Sequence, residues 1–329
     1  MTPADAVDTA LELPIVPSFT RIGIDVRRRT DGWDDLDGCD LTGRVVVVTG
    51  ATSGLGRAAV NRLARLGADL VITGRSADRT EAAATELRNE TGNPSITGVA
   101  ADMGDLEQVR ALADAVLGHR DRLDVLVHNA GALTAERTDT ADGIESTVAS
   151  QVVGPFLLTT LLLDRLRSSA PSRVITMSSG GMYGSPLVVG NLEMAAPEYR
   201  GAEQYARAKR AQVTLNEMWA ERFGADDIHF HALHPGWAAT PGVDSSLPTF
   251  SRLMGPLLRT PDQGADTLVW LAADDAALAS NGGFWHDRRL RSIHRFGRTR
   301  RSDTPSRRAA VWDHVAELAR VEPGGPGVR

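Results

Sequence analysis

The sequence predicts an α/β protein: a single-domain Rossmann fold, with a doubly wound parallel sheet and helices on both faces. Short apolar runs alternate with segments of helical periodicity between residues 45 and 285, which is typical of parallel strands joined by crossover helices. The first run, Val-Val-Val-Val-Thr at 45–49, is apolar enough to be buried on both faces. A glycine-rich turn and a helical pattern follow it at once, as in dinucleotide-binding folds.

Taken in order, the strands are expected at 45–49, 69–73, 96–100, 125–128, 173–177, 228–233 and 283–285. The helices between them are expected at 57–66, 77–88, 105–117, 143–167, 205–223 and 262–273. Gly67 is a C-terminal cap signal for the first helix, and Gly154-Pro155 should kink the fourth. Such folds bind ligands outside the carboxyl ends of their strands, so functional residues are sought there.

Composition excludes several classes of protein. The 329 residues are 42% hydrophobic and carry a net charge of −6, which gives no support for nucleic-acid binding. No apolar run approaches the ~20 residues of a transmembrane helix. The single cysteine, Cys39, excludes an internal disulfide framework and suits a reducing compartment. We therefore expect a cytoplasmic protein without a metal site. The sequence does not decide between a monomer and a homo-oligomer.

Three regions are predicted: an N-terminal extension at 1–42, the Rossmann domain at 43–285 and an arginine-rich C-terminal extension at 286–329. The N-terminal extension either packs partly on the core or forms a mobile arm, and the sequence favours neither. Its apolar residues available for packing are Ile15, Phe19, Ile22, Ile24 and Trp33.

The C-terminal extension has nine arginines between residues 286 and 308. Such a run can bind anionic lipid or nucleic acid. The negative net charge of the chain favours instead a solvated face that pairs with the acidic body of the protein. A final amphipathic helix is expected at 311–321 and disorder at 324–329.

The turn after the first strand has the composition of an anion site. Gly50, Gly54 and Gly56 lack Cβ atoms, so the backbone can approach a pyrophosphate closely, and the amides of the helix N-terminus favour its charge. The spacing, Gly-x-x-x-Gly-x-Gly, differs from the commoner Gly-x-Gly-x-x-Gly fingerprint. A tight strand-to-helix turn without a ligand is the alternative.

The end of the second strand bears on the choice of cofactor. A fold that prefers NAD usually has a carboxylate here for the ribose 2′-hydroxyl. This chain has Arg75, with Arg79 one turn on, and a guanidinium suits a 2′-phosphate through bidentate charge-assisted bonds. NADP(H) is therefore expected, with NAD(H) less favoured. A solvated arginine at a helix start is the alternative.

Two further strand ends carry polar residues. Asp102, followed by Met103, could accept from an adenine amino group or cap the next helix, a role for which Asp105 competes. The small residues of Asn129-Ala130-Gly131 permit the close approach of a flat ring or sugar. Asn129 could also pin neighbouring strands through its amide, and we expect both roles.

Tyr205 and Lys209 are four residues apart and so share one face of a helix. A phenol with a pKa of ~10 is a weak acid or base at pH 7, and an ammonium one turn away lowers that pKa. The pair can then transfer a proton, while Ser178-Ser179 supplies a hydroxyl for the substrate oxygen. Such pairs are common on exposed helices, so the evidence lies in the position after strand five. Tyr183 and Tyr199 lack a lysine four residues on.

Five motifs in this order resemble the short-chain dehydrogenase/reductase superfamily, over about residues 43–285. They are Thr49-Gly50-x-x-x-Gly54-x-Gly56, Asn129-Ala130-Gly131, Ser178-Ser179, Tyr205-x-x-x-Lys209 and Pro235-Gly236. Arg75 and the stretch 154–159 resemble the NADP-linked, retinol-dehydrogenase-like branch. Residues 40–43 and 234–237 are most similar to the group of dehydrogenase/reductase SDR family member 12.

The resemblance implies an oxidoreductase that interconverts an alcohol and a carbonyl. Tyr205 would be the acid/base, Lys209 would hold the nicotinamide ribose, and Ser179 would orient the substrate oxygen. The expected cofactor contacts are Gly50, Thr52, Ser53, Gly54, Leu55, Gly56, Arg75, Arg79, Asp102, Met103, Asn129, Ala130, Gly131, Tyr205, Lys209, Pro235, Gly236, Trp237 and Thr240. A non-catalytic NADP-binding sensor or scaffold is the alternative.

The loop between Thr240 and Pro261 covers the substrate in this family, and its apolar content favours a hydrophobic small molecule as substrate. A loop that packs its own small core is the alternative. Its apolar residues are Leu247, Phe250, Leu253, Met254, Leu257 and Leu258.

Gln151 departs from the family, which usually has an asparagine there that kinks its helix and whose carbonyl holds a water linking Lys209 to solvent. Pro155 has no N–H to give to the Gln151 carbonyl, so that carbonyl should be free to accept from the water. We therefore include Gln151 among the catalytic positions but expect its side chain to be dispensable.

Overall fold

The computed structural model describes residues 2–242 and 248–322 and is built around an eight-stranded sheet. The strands are β1 (Val45–Thr49), β2 (Asp69–Gly74), β3 (Ile96–Ala100), β4 (Val125–His128), β5 (Ser172–Met177), β6 (Ile228–Leu233), β7 (Phe284–His286) and β8 (Arg289–Leu290). Their order in the sheet is β3-β2-β1-β4-β5-β6-β7-β8. Strands β1 to β7 pair in parallel, and β8 runs antiparallel to β7. The predicted doubly wound Rossmann fold is confirmed.

Helices cover both faces of this sheet. They are α1 (Pro3–Glu12), α2 (Ile15–Phe19), α3 (Arg21–Thr30), α4 (Gly54–Arg65), α5 (Ala77–Thr91), α6 (Leu106–His119), α7 (Ser146–Val148), α8 (Gly154–Ser168), α9 (Gly201–Phe223), α10 (Pro248–Met254), α11 (Pro261–Ala273), α12 (Gly297–Ser302) and α13 (Pro305–Leu318). One core is formed with α6, α8, α9 and α13, and the other with α4, α5 and α11.

The valines of β1 belong to both cores. Val45 and Val47 pack into the core under α6 and α8, whereas Val46 and Val48 pack into the core under α4 and α11. All four side chains are buried. A central parallel strand has no solvated face, which is why the run is apolar throughout rather than alternating.

The predicted helix at 143–167 is divided into three parts. Helix α7 leads into one π-helical turn, Ala149–Val153, and α8 follows from Gly154. Pro155 has no N–H to donate to the carbonyl of Gln151, so the α-helical ladder loses a bond at this point and the turn widens. The predicted kink therefore takes the form of a π-turn that includes Gln151.

The segment Ser146–Ser168 is long and apolar enough to cross a membrane by length and composition alone, with a mean hydropathy of 1.5. It is the one such segment in the part of the chain that the structure describes. Within the fold, 83% of its apolar window is buried, which is the situation of a core helix.

The N-terminal extension packs on the domain as α1, α2 and α3, so the mobile-arm alternative is wrong for the described residues. Phe19 and Ile24 are buried, as predicted, whereas Ile15 and Ile22 are 40% and 44% exposed. Trp33 is half-buried beneath the guanidinium of Arg288, 4.7 Å from its ring centroid.

Arginines of the C-terminal extension pair with acids of the N-terminal extension. Arg289 contacts Asp31 at 2.7 Å, and Arg291 contacts Asp8 at 2.6 Å. The expected charge pairing is therefore present, but several of its members are largely buried instead of forming a solvated face. Helix α13 buries Trp312 in the core, and the stretch 324–329 lies outside the described residues.

Candidate active site

The glycine-rich turn packs tightly against the end of β4. Gly50 has a φ of 66°, and a Cβ there would lie 2.7 Å from the Cα of Ala130. A Cβ on Gly56 would lie 2.4 Å from the side-chain nitrogen of Asn129. Ser53, at the start of α4, forms no side-chain cap, so the first amides of that helix are not capped by its hydroxyl. This turn has the features of an anion cradle.

Asn129 joins the turn to the sheet. Its Nδ2 donates to the carbonyls of Thr49 and Gly50, at 2.9 Å each. The hydroxyl of Thr49 in turn accepts from the backbone amides of Asn129 and Ala130, at 3.0 and 3.1 Å. These bonds account for the strand-pinning role, and the predicted contact of Asn129 with a ligand stays a prediction.

Arg75 and Arg79 follow β2, and both are exposed. Within residues 2–242 and 248–322, neither guanidinium forms an ion pair with a carboxylate. Ser76 caps helix α5 by accepting from the amide of Arg79 at 3.4 Å. Two arginines without carboxylate partners at the ribose end of a Rossmann site fit a phosphate group.

At the end of β3, the helix cap is Asp105 and not Asp102. Asp105 caps α6 and accepts from the amides of Glu107 and Gln108 at 3.0 Å each. Asp102 instead accepts from the amide of Gly104 at 2.9 Å. Met103 beside it is buried. Asp102 is therefore not the helix cap and remains at the sheet edge.

Ser179, Tyr205 and Lys209 come together beyond the end of β5. The Ser179 side chain lies close enough to the Tyr205 phenol to favour its ionised form. The Lys209 Nζ lies 5.3 Å from the centre of the Tyr205 ring and donates to the carbonyl of Met177 at 2.9 Å. Ser178 points elsewhere and donates to the carbonyl of Lys209 at 3.1 Å. Of the two serines, Ser179 is thus the one beside the phenol.

The protein environment alone does not lower the pKa of Tyr205. Burial raises the pKa of the phenol, and the neighbouring Ser179 side chain opposes that shift. Burial also lowers the pKa of Lys209 to about 7. The lowering of the Tyr205 pKa by Lys209 stays a prediction, and in the free protein the Lys209 amine is directed at the Met177 carbonyl.

The π-turn brings Gln151 next to this group. Its side-chain Nε2 donates to the carbonyl of Ala132 at 2.7 Å. Its main-chain carbonyl accepts from the side-chain amide of Gln212 at 2.6 Å. An interior side chain from α9 therefore takes one lone pair of this carbonyl, and its bond to a water through the second lone pair stays a prediction. Proline removed the helical donor, but the tertiary packing replaced it.

The loop after β6 contacts both the glycine turn and the N-terminal extension. Gly236 has a φ of 71°, and a Cβ there would meet the Arg259 guanidinium at 2.4 Å. The amide of Trp237 donates to the carbonyl of Phe19 at 2.7 Å. Thr240 lies near the glycine turn, because a Cβ on Gly54 would be 3.5 Å from its side chain. The loop thus connects the glycine turn with the N-terminal extension.

A buried carboxylate aligns the helices that carry Gln151 and Tyr205. Glu145 accepts from the amides of Thr147 and Val148 at 2.9 Å each. It also accepts from Gln204 at 3.0 Å and from the Tyr199 hydroxyl at 3.1 Å. Tyr199 therefore has a structural role. In the described residues, no group of three or more His, Cys, Asp or Glu side chains could hold a metal ion.

Comparison with known proteins assigns the chain to a family. The family model for short chain dehydrogenase matches residues 44–249. Human dehydrogenase/reductase SDR family member 12 is 38% identical over 255 residues, which is 77% of this chain and 80% of that protein. Mouse retinol dehydrogenase 11 is 31% identical over 285 residues, 84% of this chain and 87% of that protein.

The chain belongs to the short-chain dehydrogenase family. Its relatives place it in the retinol-dehydrogenase-like branch, as predicted from the motifs, and make it an oxidoreductase acting on CH–OH and C=O groups. Among solved structures, an NADP active-site complex of RhlG from Pseudomonas aeruginosa is similar with a TM-score of 0.61 and 27% identity. The match covers 74% of this chain and 94% of that chain.

Three residues of this short-chain dehydrogenase were not predicted as parts of its site: Phe19, Glu145 and Gln212. Phe19 was recognised only as an apolar residue of the extension. Glu145 had a weak signal, since an acid just before a helical run is typical of an N-cap. Gln212 had none, because a glutamine within a helix is usually exposed.

Proposed function

We propose that this chain is an NADP(H)-dependent oxidoreductase that interconverts an alcohol and a carbonyl on a hydrophobic small molecule. The observation that carries the proposal is that Lys209 Nζ lies 5.3 Å from the centre of the Tyr205 ring, with the Ser179 side chain beside the same phenol, at the sheet edge that also holds the glycine turn. This arrangement suits proton transfer at a substrate oxygen.

The residues present fit a nicotinamide dinucleotide. The cradle at Gly50 and Gly56 excludes side-chain bulk where a pyrophosphate would approach. Arg75 and Arg79 are exposed at the position where a 2′-phosphate would lie, which supports NADP(H) over NAD(H). The NADP complex of RhlG is consistent with this choice.

In this mechanism the bound cofactor supplies or accepts the hydride. The Tyr205 phenol donates its proton to the carbonyl oxygen during reduction and recovers it from the alcohol during oxidation. The Ser179 hydroxyl holds the same oxygen and directs it at the phenol. Lys209, whose pKa burial lowers to about 7, is matched to returning a proton to Tyr205 near neutral pH.

A hydrophobic substrate is supported by the apolar side chains over the site. Phe250 of α10 packs edge-on against Trp237 with ring centroids 5.1 Å apart. Leu253 on the same helix is 75% exposed, so it is not buried in a small core formed by the loop itself. Leu247 lies outside the described residues. The name of the retinol dehydrogenase relative is consistent with an apolar alcohol.

The proposal includes a cytoplasmic location, which rests on the single cysteine and the acidic composition. The same arrangement argues against a non-catalytic sensor or scaffold, since binding alone does not need Ser179, Tyr205 and Lys209 grouped at one place. Assembly into a homo-oligomer remains a prediction.

The test is a panel of apolar alcohols and carbonyls, assayed by the absorbance of NADPH and of NADH. We expect turnover with apolar aldehydes or ketones and a higher kcat/KM with NADPH than with NADH. Binding of NADPH without turnover on any member of the panel would favour the sensor. A preference for NADH would remove the assigned role of Arg75.

A further inference from the structure

We propose that Phe19, in the N-terminal extension, is a positioning residue for the reaction. It supports the catalytic turn at Ser179-Gly180 and the loop at Pro235–Trp237 together. The extension is thereby an integral part of the catalytic unit and not an appendage to it. The inference rests on the proposed function for its kinetic consequences, but its structural consequences can be measured in the free protein.

The ring of Phe19 fills the space beside the residue that follows Ser179. A Cβ on Gly180 would lie 2.4 Å from the Cε2 of Phe19, so the glycine is needed for the ring to come this close. The ring is 3% exposed. It packs at 4.5 Å from His234 and 5.7 Å from Trp237, measured between ring centroids. One side chain therefore contacts both loops.

The main chain of Phe19 also supports the loop after β6. Its carbonyl accepts from the amide of Trp237 at 2.7 Å and from the Nε of Arg259 at 3.1 Å. Arg259 in turn donates to the carbonyl of Ser18 at 2.8 Å. The backbone at the end of α2 thus fixes the position of Gly236-Trp237 through hydrogen bonds.

A buried ionic cluster holds α2 in this place. Arg27 of α3 is fully buried and contacts Asp287 at 2.6 Å and Asp8 at 2.7 Å. Asp287 also contacts Arg259 at 2.5 Å. Because each charge is desolvated, removing one partner leaves another unpaired, and the cluster resists rearrangement. Phe19 is therefore held from both the extension and the domain.

This arrangement predicts an effect on catalysis beyond stability. Ser179 must hold the substrate oxygen at hydrogen-bond distance from Tyr205, and a displacement of about 1 Å can cost about 100-fold in rate. Loss of the ring leaves the Ser179-Gly180 turn without its support on one side. Arg75, which would hold the adenine end of a bound cofactor, follows β2, on the other side of β1 from β5 and β6, and should be unaffected.

The first experiment compares Phe19→Ala and Phe19→Leu with Ile22→Ala, which removes a 44% exposed side chain of the same extension. Hydrogen–deuterium exchange on the free protein would follow a peptide that spans residues 235–239. We expect faster exchange at Trp237 in Phe19→Ala, and wild-type exchange in Ile22→Ala. Phe19→Leu should restore most of the protection.

The second experiment measures kcat, KM and NADPH affinity for the same variants. Phe19→Ala should lower kcat by about 100-fold and NADPH affinity by much less, and Phe19→Leu should recover much of the loss in kcat. A structural role alone would lower the active fraction, which active-site titration with NADPH corrects.

A double-mutant cycle tests the contact itself. Gly180→Ala places a methyl group against the ring, and we expect Phe19→Ala to relieve part of its effect, so that the two changes are not additive. Additive effects, or unchanged exchange at Trp237 in Phe19→Ala, would overturn the inference. If no substrate is found, the exchange result still decides it, whereas the proposed function fails separately on the substrate panel.

Discussion

The main-chain carbonyl of Gln151 accepts a hydrogen bond from the side chain of Gln212 at 2.6 Å. The Gln151 side chain is a second polar group near the proton-transfer residues. Its Oε1 is buried and has no hydrogen-bond partner among the described residues. A Cβ on Gly131 would be 3.0 Å from this oxygen and 3.4 Å from the Lys209 Nζ, so the two groups converge there.

The side chain of Gln151 is therefore expected to matter. Gln151→Ala should lower kcat by about 100-fold, the low end of what a proton-transfer group contributes. Gln212→Leu removes the donor to the Gln151 carbonyl but keeps the Gln151 side chain. Its kcat should therefore fall much less than that of Gln151→Ala. Steady-state kinetics of both variants measure the difference. Wild-type kcat in Gln151→Ala would mean that the backbone serves the proton path after all.

Tyr205→Phe should abolish most turnover, because it removes the phenolic proton. We expect kcat to fall by about 10²- to 10⁴-fold while NADPH affinity stays close to that of the wild type. Tyr183→Phe is the matched control, since that ring is buried against Phe284 and burial raises the pKa of its phenol. Equal losses in the two variants would contradict the assignment.

Arg75→Asp should shift cofactor preference toward NADH. A carboxylate accepts from the ribose 2′-hydroxyl and repels the 2′-phosphate, whereas the guanidinium donates hydrogen bonds to the 2′-phosphate. The ratio of kcat/KM for NADPH and NADH is the measurement. Arg300→Asp, an exposed arginine on α12, makes the same change of charge away from the site and should leave that ratio unaltered.

Lys209→Met should change how stability depends on pH. Burial lowers the pKa of Lys209 from 10.5 to about 7, so between these values the unfolded chain binds a proton that the folded chain does not. The free energy of unfolding of the wild type should therefore rise with pH relative to the variant, by up to about 1.4 kcal/mol per unit. The loss of stability that comes from burying Lys209 is fully present below pH 7 and disappears above pH 10.5. Urea denaturation at several pH values would measure it, and parallel pH profiles would contradict it.

Trp312→Ala tests whether the C-terminal extension belongs to the core. The indole is fully buried and packs against Phe156 and Trp219 at 4.9 and 4.8 Å between ring centroids. We expect a loss of about 3–5 kcal/mol in the free energy of unfolding. Asp313→Ala, at an exposed position on the same helix, should change it little. A small effect of Trp312→Ala would mean that α13 is dispensable.

Local patterns in the sequence were sufficient for the fold and for much of the candidate site. The apolar run at 45–49 specifies a strand buried on both faces because each of its side chains meets a core. The glycine turn and the Tyr205-x-x-x-Lys209 spacing are readable for the same reason, since backbone freedom and helical periodicity depend on neighbours within a few residues.

The placement of the two extensions was decided only by the tertiary structure. Arg27 contacts Asp287 across 260 residues of chain, and nothing in the local pattern pairs one charge with the other. The bond between Gln151 and Gln212 likewise joins two helices, 61 residues apart in sequence. Periodicity shows which face of an element is apolar, but a buried polar group takes whichever partner the packed fold brings within reach, because leaving it unpaired is costly.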